Sequence, residues 1–200
     1  MKGKNKAVFL DRDGTINEEV EYLSDLKKFK LFPKVASAIK LLNDYGFKAI
    51  VITNQAGVAR GYFGKDKVEE IHQEMKRQLR EKGAHLDRIY YCPHHPTEGM
   101  GKYKKNCWCR KPNPGMLEKA AKDFDLDLST SYVIGDQLTD IKLGNNAGCQ
   151  TVLVLTGYGK ESCRKKGDCE VRVSFVADDL EKAVVWILEK EKLIGSQPRV

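Results

Sequence analysis

Two aspartates lie two residues apart in the segment VFLDRDGT, residues 8–15, directly after a short apolar run. Carboxylates this close repel each other unless a cation or a proton lies between them. A turn or a helix cap needs only one carboxylate, so a structural role accounts poorly for the pair. Asp11 and Asp13 are therefore predicted to belong to a catalytic or cation-binding site.

Two further segments carry groups suited to phosphate. Thr53 and Asn54, in VITNQ, are neutral donors that can hold phosphate oxygens, although the same pair also suits a simple turn. Arg110 and Lys111 are adjacent cations. A lysine is a compact point charge for a phosphoryl group, and an arginine can fork onto a second anionic group. The alternative is that Arg110 and Lys111 are simply a solvated pair of charges on the surface.

A second pair of carboxylates lies in VIGDQLTD, residues 133–140. Asp136 ends a run typical of a buried strand, and Asp140 comes one helical turn later, so both side chains can face one pocket. In that arrangement one carboxylate binds a hard cation and the other orients it from behind. The alternative is a helix cap followed by an exposed acid.

Short apolar runs alternate with amphipathic segments along most of the chain. The expected strands cover residues 6–11, 47–54, 86–93, 131–136, 151–156 and 171–176. The expected helices cover residues 33–44, 65–82, 113–124, 141–147 and 178–192. This alternation predicts an α/β fold with a doubly wound, mainly parallel Rossmann-like sheet. Ligands of such sheets bind beyond the carboxyl ends of the strands, where the polar segments are expected to meet.

Length, composition and net charge limit the number of domains, the cellular location and the partners that the chain can have. The 200 residues suit a single domain, expected over residues 1–194 with a frayed tail at 195–200. No apolar run approaches the roughly 20 residues of a membrane span, and none resembles a full signal peptide, so we expect a cytosolic protein without membrane contact. We also expect a monomer. The net charge of +7 suits either an anionic partner or a solvated basic surface.

The run CPHHPTEGMGKYKKNCWCRKP, residues 92–112, concentrates metal-ligand residues. Four of them form two spaced pairs: Cys92, His94, Cys107 and Cys109. Two such pairs suffice to close a tetrahedral zinc site, and cytosolic thiols are more often metal ligands or reduced core residues than disulfides. His95 could replace His94. Because no coordination position remains open, we expect a structural zinc ion that folds a loop over residues 92–109.

Three other cysteines need a separate interpretation. Cys149 enters a predicted strand and is expected to lie in the core. Cys163 and Cys169 flank the segment RKKGD and could pair with each other or bind metal. Reduced thiols at or near the surface are the preferred interpretation for these two.

The polar segments, taken in this order, closely resemble the haloacid dehalogenase superfamily of phosphatases. The match covers nearly the whole sheet-forming chain: DxDGT at Asp11–Thr15, a threonine at Thr53, a lysine at Lys111, and GDxxxD at Gly135–Asp140. The resemblance implies a magnesium-dependent phosphatase that works through an aspartyl-phosphate.

The resemblance also implies a role for each catalytic residue. Asp11 is the nucleophile, and Asp13 is the general acid for the leaving hydroxyl and then the base that activates water. Thr53 and Lys111 hold the phosphoryl oxygens. Magnesium is bound by the Asp11 and Asp136 carboxylates and by the backbone carbonyl of Asp13, with Asp140 behind them. A carboxylate that attacks a phosphate monoester is repelled by the negative charge of the phosphate. A cation bound between the two groups reduces this repulsion, in agreement with the implied magnesium site.

The cysteine-rich run resembles the histidinol-phosphatase-like branch of that superfamily. LDRDGTIN, the stretch Thr53–Gly61 and the stretch Arg110–Met116 are similar to the same branch. This resemblance implies a small phosphorylated sugar, a sugar bisphosphate, as the substrate. The residues expected to bind it are Arg12, Glu19, Tyr22, Thr53, Asn54, Gln55, Arg110, Lys111 and Gln137. Gln137 stands where these enzymes often have lysine, so a positive charge near the substrate is missing.

Superfamily members often carry a separate cap domain, for which this chain has no room. The interval from Asp13 to Thr53 holds a flap and one helix, and the interval from Thr53 to Lys111 is filled by a helix, a strand and the cysteine-rich run. We therefore expect a capless enzyme whose site is shaped by loops.

Two other functions compete with this interpretation. A histidinol-phosphate phosphatase or a less selective phosphatase shares the same branch. A zinc-stabilised nucleic-acid-binding protein would account for the net charge and for KYKK at residues 102–105. No aromatic-rich strand platform supports that function, and acidic strand ends would repel a phosphate backbone unless a cation were bound. We therefore expect no nucleic-acid partner.

Overall fold

The computed structural model describes residues 4–99, 101–165 and 170–195. Six strands form one sheet in the order β3-β2-β1-β4-β5-β6, and all neighbouring strands are parallel. The strands are β1 Ala7–Leu10, β2 Lys48–Asn54, β3 Arg88–Cys92, β4 Tyr132–Gly135, β5 Gln150–Val154 and β6 Phe175–Ala177. This strand order is that of a doubly wound Rossmann-like sheet, which confirms the predicted fold class.

Helices cover both faces of the sheet. They are α1 Val35–Asp44, α2 Lys65–Glu81, α3 Gly115–Phe124, α4 Leu138–Asn146, α5 Gly159–Lys165 and α6 Leu180–Lys190. Successive strand residues point to opposite faces, so Val8 and Leu10 pack with α1, α2 and α6 while Ala7 and Phe9 pack with α3 and α4. Two hydrophobic cores therefore hold β1 at the centre and fix the position of the residues that follow it.

The described residues contain no second domain that could serve as a cap. Residues 11–34, between β1 and α1, form a loop with one short 3₁₀ helix, Leu26–Lys28, and the loop is anchored by buried Ile16, Leu23 and Phe29. The segment between β2 and β3 holds α2. Within the described part of the chain, no helix is both long enough and apolar enough to cross a membrane.

Two segments of the C-terminal third differ from the prediction. The strand expected at 171–176 is reduced to β6, because Asn145 and Thr151 hydrogen-bond the backbone of Arg172 and occupy groups that a ladder would use. The segment after β5, where no helix was expected, contains α5, which buries Ser162 and pairs Lys165 with Glu161 along one face. Residues 196–200 of the predicted tail lie outside the described residues.

Candidate active site

The carboxyl ends of three strands bring the predicted residues together. Asp11 follows β1 and its backbone N–H donates to the carbonyl of Ile134 in β4 at 3.0 Å, so Asp136, which follows β4, lies beside it. Gly14 has a φ of +80°, and a Cβ at that position would lie 2.2 Å from Asp136 Oδ2. Glycine is therefore required where the chain turns after the second aspartate of the DxDGT segment.

A buried lysine bridges two of the carboxylates. Lys111 Nζ lies 2.7 Å from Asp11 Oδ1 and 2.7 Å from Asp140 Oδ1, and it also donates to the carbonyl of Ile52 at 3.3 Å. Asn54 holds the backbone of Lys111 from both sides, since its Oδ1 accepts from the lysine N–H and its Nδ2 donates to the lysine carbonyl. Burial opposes the charge of Lys111, but the two carboxylates outweigh that effect and raise its pKa, so the ammonium stays charged.

One ammonium does not neutralise the carboxylates around it. Oxygen atoms of Asp11, Asp136 and Asp140 lie within 4.8 Å of one another, and all three residues are buried. Burial, together with repulsion from Asp140 and only partly offset by Lys111, raises the pKa of Asp11 to about 7. Burial and the charges of Asp11 and Asp140 raise the pKa of Asp136 to about 8. Asp136 Oδ1 is buried without a hydrogen-bond partner. This set of hard oxygen donors fits a divalent cation such as Mg²⁺.

The carboxylate of Asp13 is held on several sides. Arg12 donates from Nε at 3.1 Å and from Nη2 at 2.7 Å, Asn17 Nδ2 donates at 2.9 Å, and Gln55 Nε2 donates at 3.0 Å. Burial alone would raise the pKa of Asp13, but the Arg12 guanidinium and these hydrogen bonds outweigh burial and lower it. Asp13 is therefore ionised in this arrangement.

A two-part pocket opens onto these groups. The inner part, of about 80 Å³, contains Asp11, Thr53 and Lys111, and the outer part, of about 430 Å³, is polar and open to solvent. The outer part is lined among others by Asp13, Glu19, Glu21, Tyr22, Asn54, Gln55, Arg110, Gln137, Thr139 and Tyr158. Glu21 and Tyr22 have φ values of 40° and 51°, a conformation that non-glycine residues rarely adopt. The loop of residues 11–34, strained at these two positions, thus presents Tyr22 at the pocket rim.

The cysteine-rich run forms one wall of the outer pocket. Arg110 lines the pocket and its Nη1 donates to the carbonyl of His94 at 3.0 Å. Arg60 joins this wall to the loop of residues 11–34. Its guanidinium contacts the hydroxyl and ring of Tyr22 in that loop and pairs with Glu98 Oε2 of the wall at 3.0 Å. Both sides of the pocket mouth are therefore tied to the fold of this run.

The four predicted ligands of the run converge on one point. Cys92 Sγ and Cys109 Sγ lie 3.6 and 3.5 Å from His94 Nδ1 and 3.2 Å from each other. The ligand atoms of this group, which includes Cys107, all lie within 4.8 Å of one another. A tetrahedral zinc site has edges of about 3.8 Å between two sulfurs and about 3.6 Å between sulfur and nitrogen. The set therefore fits zinc, whereas a disulfide requires sulfurs about 2.05 Å apart.

Comparison with known proteins agrees with this geometry. A HAD-hydrolase-like family model matches residues 108–183. The D-glycero-D-manno-heptose-1,7-bisphosphate 7-phosphatase of Thermosynechococcus vestitus is 43% identical over 185 residues, 90% of this chain and 94% of that protein. The D-glycero-beta-D-manno-heptose-1,7-bisphosphate 7-phosphatase of Haemophilus ducreyi is 46% identical over 76% of this chain and 84% of that protein. The chain belongs to this heptose-bisphosphate phosphatase family.

A solved structure supports the same assignment. The D,D-heptose 1,7-bisphosphate phosphatase from B. bronchiseptica, complexed with magnesium and phosphate, matches with a TM-score of 0.82 and 32% identity. The match covers 92% of this chain and 99% of the other. The chain is thus similar to a heptose-bisphosphate phosphatase over nearly its whole length.

Most of the residues predicted from sequence line the phosphatase pocket, but Arg12 does not. Its side chain is fully buried against Asp13 and His72 and does not line the pocket, and the predicted contact of Arg12 with the substrate stays a prediction. His94, rather than His95, faces the thiols, because His95 Nδ1 accepts from the Glu98 N–H. Of the two histidines that the sequence left open, the geometry therefore favours His94 as the zinc ligand.

Two residues that bond the carboxylates of the site were not among the predicted site residues. Tyr158 donates its backbone N–H to Asp136 Oδ2 at 2.8 Å, a contact that any residue except proline could make. Asn17 donates from Nδ2 to Asp13 Oδ1, and its place in the DRDGTIN segment is a signal from which this contact could be predicted. Cys149 is buried, as expected, and Cys163 is a free thiol, whereas Cys169 lies outside the described residues.

Proposed function

We propose that the chain hydrolyses the 7-phosphate of D-glycero-D-manno-heptose 1,7-bisphosphate through an aspartyl-phosphate on Asp11. The observation that carries this proposal is the inner pocket, which Asp11, Thr53 and Lys111 line together, with Lys111 Nζ 2.7 Å from Asp11 Oδ1. Three kinds of group meet there: a nucleophile, a cation and a neutral donor for phosphoryl oxygens. The substrate itself follows from the names of the relatives and not from the pocket shape.

The reaction needs one proton donor and one base, and Asp13 is placed to serve as both. Asp11 attacks phosphorus, and the bond from phosphorus to the sugar oxygen breaks while Asp13 gives that oxygen a proton. Asp13, now a carboxylate, takes a proton from water as the water oxygen attacks phosphorus and releases Asp11 and phosphate. Both oxygens of Asp13 accept hydrogen bonds here, so the arrangement matches the second step. Proton donation requires Asp13 to leave at least one of these partners.

The remaining pocket residues orient the two ends of the substrate. Thr53 and Lys111 hold the transferred phosphoryl group. Asn54 fixes Lys111, and Gln55 donates to both Thr53 Oγ1 and Asp13 Oδ2. We assign the outer pocket, with Glu19, Tyr22, Arg110 and Gln137, to the sugar and its second phosphate. The buried Arg12 side chain acts on Asp13.

Magnesium is the proposed catalytic cation. Asp11, Asp136 and the backbone carbonyl of Asp13 would hold it, and Asp140 would support Lys111 and the cation site from behind. When bound, the ion supplies positive charge between the attacking carboxylate and the phosphate. The monomeric state, the cytosolic location and the single domain over residues 1–194 stay predictions.

Substrate preference tests the proposed function directly. We expect kcat/KM for heptose 1,7-bisphosphate, supplied as each anomer, to exceed that for histidinol phosphate by at least about 10-fold. The outer pocket offers Arg110 to a second phosphate, which histidinol phosphate lacks. Phosphate release in magnesium measures both rates. A preference for histidinol phosphate would contradict the proposed substrate while leaving the chemistry at Asp11 intact.

Zinc is the proposed structural ion of the loop, and ligand replacement tests it. Cys109→Ser is expected to lower the zinc content from about one per chain to near zero, since four protein ligands close the site. Because Arg110 follows Cys109 and is held by the His94 carbonyl, we also expect KM to rise and loop residues 92–109 to become sensitive to protease. Cys149→Ser is the control, since that buried thiol lies outside the cluster. Full zinc content in Cys109→Ser would contradict the assignment.

A further inference from the structure

The Arg12 guanidinium is a fully buried charge that the proposed reaction does not consume. Its exposed fraction is 0%, and a buried charge is costly unless every donor is satisfied. Asp13 accepts from Nε and Nη2. The other terminal nitrogen, Nη1, faces away from Asp13 and needs a different acceptor.

His72 on α2 supplies that acceptor. Its Nε2 lies 3.2 Å from Arg12 Nη1, and the residue is only 1% exposed. The ring packs edge-on against Tyr91 at 5.6 Å between centroids, which restricts its orientation. A guanidinium has donors only, so Nε2 must carry the lone pair and Nδ1 the proton. Burial, then the charge of Arg12, lowers the pKa of His72 to about 3, in agreement with a neutral ring.

We infer that His72 is a positioning residue for catalysis: it fixes the Arg12 guanidinium, which in turn fixes the Asp13 carboxylate at the pocket. The inference rests on the proposed role of Asp13 as acid and base. Arg12 is adjacent to both aspartates, and its backbone N–H donates to Asp11 Oδ1 at 2.7 Å. A shift of this residue therefore disturbs both reacting carboxylates.

A structural role is the main alternative. α2 places His72 among the buried Val68, Met75 and Leu79, and a histidine there could simply fill the core. Such a residue would affect stability and leave the reaction unchanged. Among the described residues, however, Arg12 Nη1 has no other acceptor, so removal of the histidine acceptor leaves a buried donor unsatisfied. The guanidinium is then expected to move towards a new partner and take Asp13 with it.

Two substitutions separate the alternatives. His72→Leu keeps the apolar bulk and removes the acceptor, whereas His72→Gln places an amide oxygen as many bonds from the backbone as Nε2. We expect kcat for His72→Leu to fall about 10- to 100-fold with KM changed less than about threefold. His72→Gln should recover most of the lost kcat. If both variants fold and their kcat values lie within about twofold of the parent enzyme, the inference is wrong.

Control variants distinguish an effect of His72 on catalysis from a loss of stability and from a failure of the proposed function. Leu79→Ala, on the same buried face of α2 but without contact to Arg12, should lower the melting temperature with kcat unchanged. Asp13→Asn should lose activity, and full activity in that variant would overturn both the proposed function and the inference that rests on it. An inactive Asp13→Asn together with unchanged kcat in both His72 variants would overturn the inference alone. Should His72→Leu fail to fold, ¹⁵N NMR of histidine in the parent enzyme decides. Unprotonated Nε2 near neutral pH is expected, and a protonated Nε2 would exclude an acceptor for Arg12.

Discussion

Asp11→Asn is expected to lower kcat/KM by at least about 10⁴-fold, because the amide preserves the shape of the side chain but cannot attack phosphorus. The residue lines the inner pocket and pairs with Lys111. Phosphate release in saturating magnesium measures the loss. Zinc content measured on the same sample shows whether the fold is retained.

The same substitution has a second expected effect, on stability. The pKa of Asp11 is raised from its ordinary value of 3.8 to about 7. As pH rises, Asp11 in the unfolded chain therefore loses its proton at a lower pH than Asp11 in the folded state. The charged Asp11 therefore destabilises the fold increasingly as pH rises from about 4 to 7, and fully above that range. In magnesium-free buffer at pH 8, we expect Asp11→Asn to raise the melting temperature. The gain should vanish near pH 4.

Asp44→Asn is the matched control for both measurements. Asp44 is exposed at the end of α1 and pairs with Lys40, so its loss should change neither activity nor the pH dependence of stability appreciably. Retention of activity within about 10-fold by Asp11→Asn would remove Asp11 from the role of nucleophile. A lower melting temperature at pH 8 would instead show that its pairing with Lys111 outweighs burial and repulsion.

Sequence reasoning located the edge of the sheet where the site lies. Each polar segment follows an apolar run, and parallel strands bring their carboxyl ends together. The proximity of Asp11, Thr53 and Asp136 could therefore be predicted from the sequence. The cysteine cluster was also predictable, because ligand type and pairing are local features. The structure does bring these residues close together, and their proximity could be predicted since the information lies within a few residues of each group.

Contacts between distant segments were not predictable in this way. His72 lies on the apolar stripe of α2, where the helical period assigns it to the core, and its partner Arg12 is 60 residues away. The family resemblance implied that Arg12 contacts the substrate. Its side chain turns inward instead, and pattern alone does not show the direction of one side chain in a tight turn. Tyr158 acts through its backbone, for which residue type carries no information.

Lys111→Met is expected to damage both stability and catalysis. Removal of the ammonium leaves Asp11 and Asp140 buried and unpaired, which should lower the free energy of unfolding by about 3–5 kcal/mol in magnesium-free buffer. Activity should fall by about 10²- to 10³-fold in magnesium, because the phosphoryl group loses a charged donor. Denaturant unfolding and phosphate release measure the two effects. Lys40→Met, which breaks an exposed helical pair, should cost only about 0.3–0.5 kcal/mol.

A double substitution separates the two roles of the lysine. Adding Asp140→Asn to Lys111→Met removes one of the three crowded carboxylates, while the asparagine oxygen can still accept from the Gln137 N–H. We expect the double variant to recover much of the lost stability, since the two residues are in contact and their effects are not additive. Its activity should stay low, because the phosphoryl group still lacks the ammonium. Recovery of both properties would show that Lys111 serves only to neutralise Asp140, and recovery of neither would place the stabilising contact elsewhere.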